Sequence, residues 1–186
     1  MHDFLERYRG WLGLLARLQV DPRLRSRVDL SGAVQQTLFE ASQVLREDDG
    51  HVEAERAAWL KKCLAHNLAD EMRKLNAEMR DVRREQRLEA ALDRSSARLS
   101  DWLAATGTSP SGRLVREELS MRLAAALASL PEDQREALIL QHWHGWKVAE
   151  IGVHLGRSRT AVAGLLKRGL AKLREELHAL ASSSSG

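Results

Sequence analysis

The sequence predicts an all-α protein of two small helical domains joined by a flexible linker. Three observations carry that prediction. Strand-like alternation is missing and β-branched residues are sparse, while Leu, Ala, Arg and Glu dominate and the apolar residues recur with a helical period. A run of small polar residues, Thr106-Gly107-Thr108-Ser109-Pro110-Ser111-Gly112, interrupts the pattern past its middle and marks a linker from about Ser95 to Gly112. Near the C-terminus, from Val148 to Leu173, a short amphipathic helix, a Gly-centred turn and a basic helix follow one another with helix-turn-helix spacing.

The elements follow in order. Phe4, Leu5, Tyr8, Trp11, Leu12, Leu15 and Leu18 share one face of a first helix that stops at Asp21-Pro22. Leu24 to Leu30 is a short connector. A second helix runs from about Ser31 to Leu45, with Val34, Leu38, Ala41 and Leu45 inward, and Asp48-Asp49-Gly50 breaks it. A third runs from about Val52 through Met79, bending or breaking near Leu75-Asn76, with Leu88 to Leu92 as its trailing end. Beyond the linker, Leu130-Pro131-Glu132-Asp133-Gln134 starts a helix with Pro at its first position and two acids in its first turn, and this helix ends near Gly145. Ser182 to Gly186 reads as a frayed tail.

The C-terminal pair is the richest segment. Val148, Ile151 and Leu155 fall on one face of a short helix ended by Gly156, which is free to adopt positive φ. Ser158 then caps a second helix, on which Val162, Leu165, Leu166, Gly169, Leu170, Leu173 and Leu177 form a broad apolar stripe. Ser158, Arg159, Thr160 and Ala163 occupy its N-terminal end, the part that meets base edges in a major groove, whereas Lys167, Arg168 and Lys172 lie further along and suit phosphates. The same turn also occurs in ordinary helical corners with a solvated basic face, so the rest of the chain bears on the choice.

Composition bounds the alternatives. The 186 residues allow one large or two small domains, and 44% hydrophobic residues suffice for compact cores without an apolar run long enough to span a membrane. Met1-His2-Asp3-Phe4-Leu5-Glu6-Arg7 does not read as a signal peptide, and the single cysteine, Cys63, fits a reducing compartment, so a cytoplasmic location is expected. The net charge of +3 is unevenly spread. Residues 61–87 hold eight Lys/Arg against five Asp/Glu and residues 147–178 seven against three, whereas 1–60 and 88–146 are each net negative. Two basic segments set apart by an acidic one fit two contacts with nucleic acid.

Leu130-Pro131…Arg135…Ala137-Leu138…Glu150-Ile151…Leu155-Gly156…Ser158…Ala161-Val162…Leu166…Arg168…Leu170…Leu173-Arg174-Glu175 resembles region 4 of the sigma-70 family, in its extracytoplasmic-function (ECF) branch. Asp21-Pro22-Arg23-Leu24-Arg25, Asp29…Val34-Gln35-Gln36-Thr37-Leu38-Phe39-Glu40-Ala41, Trp59-Leu60…Leu64-Ala65-His66-Asn67-Leu68-Ala69-Asp70 and Arg80-Asp81-Val82-Arg83-Arg84-Glu85 are similar to region 2 in order and spacing. The resemblance implies a region 2-like helical bundle over 1–93, a linker over 94–114, a region 4-like helix-turn-helix domain over 115–181 and a disordered tail over 182–186.

It also implies a function. Such a protein binds core RNA polymerase and directs promoter recognition and initiation, with region 2 at the polymerase clamp and the −10 element and region 4 at the −35 duplex. Val34, Gln35, Gln36, Thr37 and Phe39 would form the polymerase-docking surface. Asn67 would sit near the extruded −10 base, where its amide could pair with a base edge, and Lys61, Lys62, Arg73, Lys74, Arg80, Arg83 and Arg84 would meet phosphate. Two departures stand out. Gly32 and Gln36 occupy positions where an Asp and a Glu are common, and Ala163 and Leu165 replace polar or basic groups, leaving base readout to Ser158, Arg159 and Thr160. An anti-sigma factor is a further partner common in this branch.

Other chemistry is not expected. Cys63-x-x-His66 and His142-x-His144 raise zinc, but their spacing is incomplete for a structural site, so neither metal nor cofactor is expected. No Gly-rich phosphate loop, nucleophile elbow or convincing carboxylate pair appears, which argues against an enzyme. Trp59 could stack on a base, but its apolar position beside Leu60 and Leu64 reads as core, and Trp143 and Trp146 read as packing or polymerase-flap contacts. The competing readings are a stand-alone helix-turn-helix regulator, marked by palindromic half-sites, and a helical adaptor, marked by salt-insensitive protein binding.

Overall fold

A computed structural model of the chain describes residues 3–44, 53–76, 82–105 and 113–183. Among these residues the secondary structure is entirely helical: α1 (Asp3–Gln19), a 3-10 turn (Arg25–Arg27), α2 (Leu30–Val44), α3 (Glu53–Asn76), α4 (Val82–Ala105), α5 (Arg113–Ala128), α6 (Glu132–His142), α7 (Val148–Leu155) and α8 (Arg159–Ser183). The chain divides into two compact units, Met1–Met121 and Arg122–Gly186, and the division falls within α5.

In the first unit α1 packs against α2, α3 and α4. Its sequence accounts for that central place. Besides Leu5, Tyr8, Trp11, Leu12, Leu15 and Leu18, it buries Leu14 and Ala16, a stripe too wide for a helix lying on a surface. After α1, the Asp21 carbonyl accepts the Leu24 N–H at 2.8 Å, closing a turn into the 3-10 segment. Asp29 then caps α2 by accepting the Gly32 N–H at 2.8 Å. A Cβ on Gly32 would meet the Asp29 carboxylate as it stands in this cap, so any larger residue there requires that side chain to shift.

Two expectations are corrected here. Leu88 and Leu92 are not the trailing end of the third helix: α3 stops at Asn76, and they lie on the separate helix α4. That helix runs antiparallel to α3, since Lys61 pairs with Asp93 at 2.6 Å and His66 with Glu85 at 3.5 Å. The reversal is invisible to periodicity because Ala77-Glu78-Met79-Arg80-Asp81 contains neither Gly nor Pro. Nor does a linker begin near residue 94, because α4 continues to Ala105. Ser95 and Ser96 look like loop residues by composition, yet both are buried on the α4 face that carries Leu88, Leu92 and Leu99. Ser95 Oγ accepts the Gln19 amide at 2.9 Å, and Ser96 Oγ donates to Glu117 Oε2 at 2.8 Å.

The start of α5 belongs to the same unit, which therefore reaches past the expected boundary at 93. Trp11 Nε1 donates to Ser120 Oγ at 2.8 Å, and Lys61 Nζ bridges Asp93 and Glu117 at 2.6 and 3.0 Å. Thr106–Gly112 and Asp48-Asp49-Gly50 lie outside the described residues, as does the tail beyond Ser183. In the second unit α6 packs on α7 and α8, and α7 on α8.

Candidate nucleic-acid interface

The helix-turn-helix is α7 and α8, braced by α6. Pro131 is the N-cap of α6 rather than its first helical residue, and its carbonyl accepts the Gln134 and Arg135 N–H groups at 3.0 Å each. Glu136 to Leu140 are buried. Gly145 (φ 67°) turns the chain out of α6, and the Glu150 carboxylate reaches back to accept the Lys147 N–H at 2.7 Å, fixing the start of α7.

The turn follows from two glycines and one serine. Gly156 takes the left-handed conformation (φ 63°, ψ 37°), and the Arg157 N–H then donates to the Gly152 carbonyl at 2.8 Å. Gly152 is buried with no room to spare, since a Cβ there would lie 2.7 Å from the Arg157 carbonyl oxygen. Ser158 Oγ accepts the Ala161 N–H at 3.2 Å, the cap that the sequence predicts. Val162, Leu166, Gly169, Leu173 and Leu177 face inward, and Leu165 and Leu170 are half-buried at the stripe's edge.

What remains outside is the basic N-terminal end of α8. Ser158, Arg159, Thr160, Ala163, Lys167 and Arg168 are all exposed, and Lys172 is half-buried. One member of the turn escaped the sequence reading. The Arg157 guanidinium holds Asp133 Oδ2 at 2.8 and 3.2 Å, tying the entry of α8 to the first turn of α6. No local signal joins residues 24 apart in the chain. His154 lies 3.9 Å from the Glu136 carboxylate and meets the Trp146 ring edge-on at 5.3 Å, so Trp146 packs at the back of the turn.

Residues 120–173 match the family model Sigma-70, region 4, from within α5 to the middle of α8. The match covers less than a third of the chain, and the matched stretch is similar to the region of that family that holds a helix-turn-helix. No curated protein matches the chain. The matched stretch takes in the end of α5, all of α6 and α7 and the first part of α8, where Arg159, Lys167 and Arg168 are exposed.

The first unit redistributes the remaining candidates. Gln35, Gln36 and Phe39 are exposed on α2, Phe39 at 58%, whereas Val34 and Thr37 are buried. Val34 is buried as the helical period predicts, and Thr37 with it, so neither can lie on the docking surface that the resemblance implies: both point into the core because α2 packs on α1 and α3. Asn67 is likewise buried, at 6% exposure. Its amide donates to Thr37 Oγ1 at 3.0 Å, which in turn donates to the Ala33 carbonyl at 2.8 Å. This chain of hydrogen bonds engages the amide that the resemblance places near a base edge.

Lys61 is the clearest correction. Its ammonium is buried between Asp93 and Glu117, where the two carboxylates hold its pKa up against the cost of burial, so it fastens helices rather than meeting phosphate. Arg73 is half-buried and paired with Asp70 and, at 3.8 Å, Glu85, while Lys74 pairs with Glu71. Lys62 is exposed. Arg80 lies outside the described residues; Arg83 and Arg84 are on α4, but their side chains are not described.

An open cleft of about 520 Å³ lies between α2, α3 and α4, lined by residues that include Glu40, Trp59, Cys63, His66 and Glu85. Trp59 is thus half-exposed at its wall rather than core. Burial, with a smaller push from Glu40, raises the Cys63 thiol to about 11. The thiolate is the reactive form, so Cys63 is expected to react with iodoacetamide at pH 8 at least roughly tenfold more slowly than free cysteine. Its rate should still be rising with pH where that of free cysteine has levelled off, and a rate equal to that of free cysteine at pH 8 would contradict the burial.

Proposed function

We propose that the chain is an alternative sigma factor of the ECF type, which binds core RNA polymerase and directs initiation at promoters with −10 and −35 elements. The carrying observation is the region 4 match over a helix-turn-helix whose outward end presents Arg159, Thr160, Lys167 and Arg168. On this reading α8 enters the major groove of the −35 duplex, Ser158, Arg159 and Thr160 read base edges, Ala163 can meet a thymine methyl, and Lys167, Arg168 and Lys172 neutralise phosphates. Gln35, Gln36 and Phe39 form the polymerase-docking face, with Val34 and Thr37 holding α2 in place behind them. Lys62, Lys74, Arg80, Arg83 and Arg84 serve the −10 region.

The protein works in the cytoplasm on this reading, with promoter DNA, polymerase and an anti-sigma factor as partners, and makes no bonds of its own. Among the described residues no helix is long and apolar enough to cross a membrane.

The test is to mix the purified chain with core RNA polymerase and selected promoter DNA. A stable complex that initiates, weakened by Phe39→Ala, supports the reading. Arg159→Ala is expected to cost about 1–3 kcal/mol of −35 affinity and to relax preference at one base, while Lys167→Ala weakens all duplexes evenly and lowers the salt slope by about one. Tight binding to a palindromic duplex without polymerase would point instead to a stand-alone regulator.

A further inference from the structure

The α3–α4 hairpin brings together three side chains that the proposed function does not use as a group. His66 and Asp70 are one turn apart on α3 and project side by side, and Glu85 faces them from α4. His66 Nε2 lies 3.7 Å from Asp70 Oδ2, and His66 Nδ1 lies 3.5 Å from Glu85 Oε2. One ligand atom from each residue lies within 4.8 Å of the other two. All three are partly exposed, and His66 and Glu85 also line the open cleft.

We propose that His66, Asp70 and Glu85 form a binding site for a divalent transition-metal ion, with zinc the best fit, that bridges α3 to α4. An imidazole with two carboxylates is a donor set such ions take, and the nitrogen ligand disfavours magnesium and calcium, which prefer all-oxygen shells. Metal–ligand bonds of about 2.0–2.2 Å bring tetrahedral donors to about 3.4 Å from one another, so the donors must close by roughly an ångström. The ion takes one ring nitrogen, so one carboxylate swings round the imidazole edge, a rotation that partly exposed side chains on a solvent-facing rim can make. The cleft supplies an entry path and room for water as a fourth ligand.

Arg73 is the site's internal competitor. Its guanidinium pairs with Asp70 and stands 3.8 Å from Glu85, compensating the two carboxylates while no ion is bound. Cys63, one turn before His66, lines the same cleft, but the donor atoms that lie within 4.8 Å of one another are those of His66, Asp70 and Glu85 and do not include its Sγ. The local pair Cys63-x-x-His66 was therefore the wrong half of the signal. The rest of the set comes from Asp70 on the same face and from Glu85, which only the antiparallel packing supplies.

The purified full chain, without polymerase or DNA, is titrated with Zn²⁺ by calorimetry and with Co²⁺ by absorption. The expected result is one ion per chain at micromolar affinity, d–d bands without thiolate charge transfer, and a rise in Tm on zinc addition. His66→Ala and Glu85→Gln should each weaken binding by about tenfold or more, a scale seen when even the supporting shell of a metal site is disturbed. Arg73→Ala should tighten binding, and Cys63→Ser and His142→Ala should leave it unchanged. Circular dichroism of each variant separates loss of the site from loss of the fold, and Glu85→Gln, nearly isosteric, keeps the test open if His66→Ala unfolds. Binding weaker than millimolar, binding that survives both His66→Ala and Glu85→Gln, or binding lost with Cys63→Ser overturns the proposal. None of these outcomes depends on the chain being a sigma factor.

Discussion

Replacing Trp11 by alanine is expected to lower the stability of the first unit by about 3–5 kcal/mol, the range for removing a large aromatic side chain from a packed core. Trp11 is 1% exposed, lies against the tilted ring of Tyr8 at 6.3 Å, and donates its indole N–H to Ser120 Oγ at 2.8 Å. The change thus removes packing from the central helix together with the hydrogen bond that fastens the start of α5. Trp11→Phe separates the two contributions. It keeps most of the apolar area and loses only the donor, so a cost of about 1 kcal/mol attributable to the hydrogen bond is expected, with any misfit of the smaller ring added to it. Urea unfolding followed by far-UV circular dichroism measures both variants. A Trp11→Ala loss below about 1 kcal/mol would show that α1 does not hold the place described for it.

Gly152→Val is the second large effect, and it acts on function through geometry. The Cβ of any other residue would lie 2.7 Å from the Arg157 carbonyl oxygen, and that atom is backbone, so it cannot turn aside as a side chain would. Valine adds two further carbons beside Val162 Cγ2, itself 3.9 Å from the Cβ position. Overpacking of this kind costs about 1–3 kcal/mol and forces the backbone to shift. The segment that shifts is the turn from Gly156 to Ser158, which sets the direction from which α8 starts. The variant should therefore melt earlier and, on the proposed function, lose preference for its −35 sequence, while salt-sensitive, sequence-independent affinity from Lys167 and Arg168 persists. Thermal unfolding and competition between specific and scrambled duplexes report the two parts. Unchanged sequence preference in a folded Gly152→Val protein would refute the close approach.

The contrast between Lys61 and Lys62 shows where sequence reasoning reaches its limit. Both are lysines in a basic stretch, adjacent in the chain, yet Lys61 is buried between Asp93 and Glu117 and Lys62 is exposed. Neighbours on a helix point about 100° apart, so one can face the core while the next faces solvent. Charge counted along the chain cannot separate them. Asn67 and Thr37 make the same point: each is polar and each could serve a ligand, but they satisfy one another across α2 and α3.

The sequence by itself determined the helical class, the helix-turn-helix with its Gly156 turn and Ser158 cap, the apolar stripe of α8 and the exposed cationic end that meets DNA in the proposed function. Those features arise from rules that act within a few residues: helical period, end caps and the freedom of glycine at positive φ. Only the tertiary structure decided that α4 turns back along α3, that Ser95 and Ser96 are buried helix rather than linker, that Lys61 is a fastening, and that Arg157 meets Asp133 and Glu85 meets His66. These outcomes depend on partners far apart in the chain, 56 residues for Lys61 and Glu117 and 76 for Gln19 and Ser95. Which of two equally helical faces is buried is settled by the packing of the whole unit, because desolvating a charge is tolerable only where that packing also delivers its counter-charge.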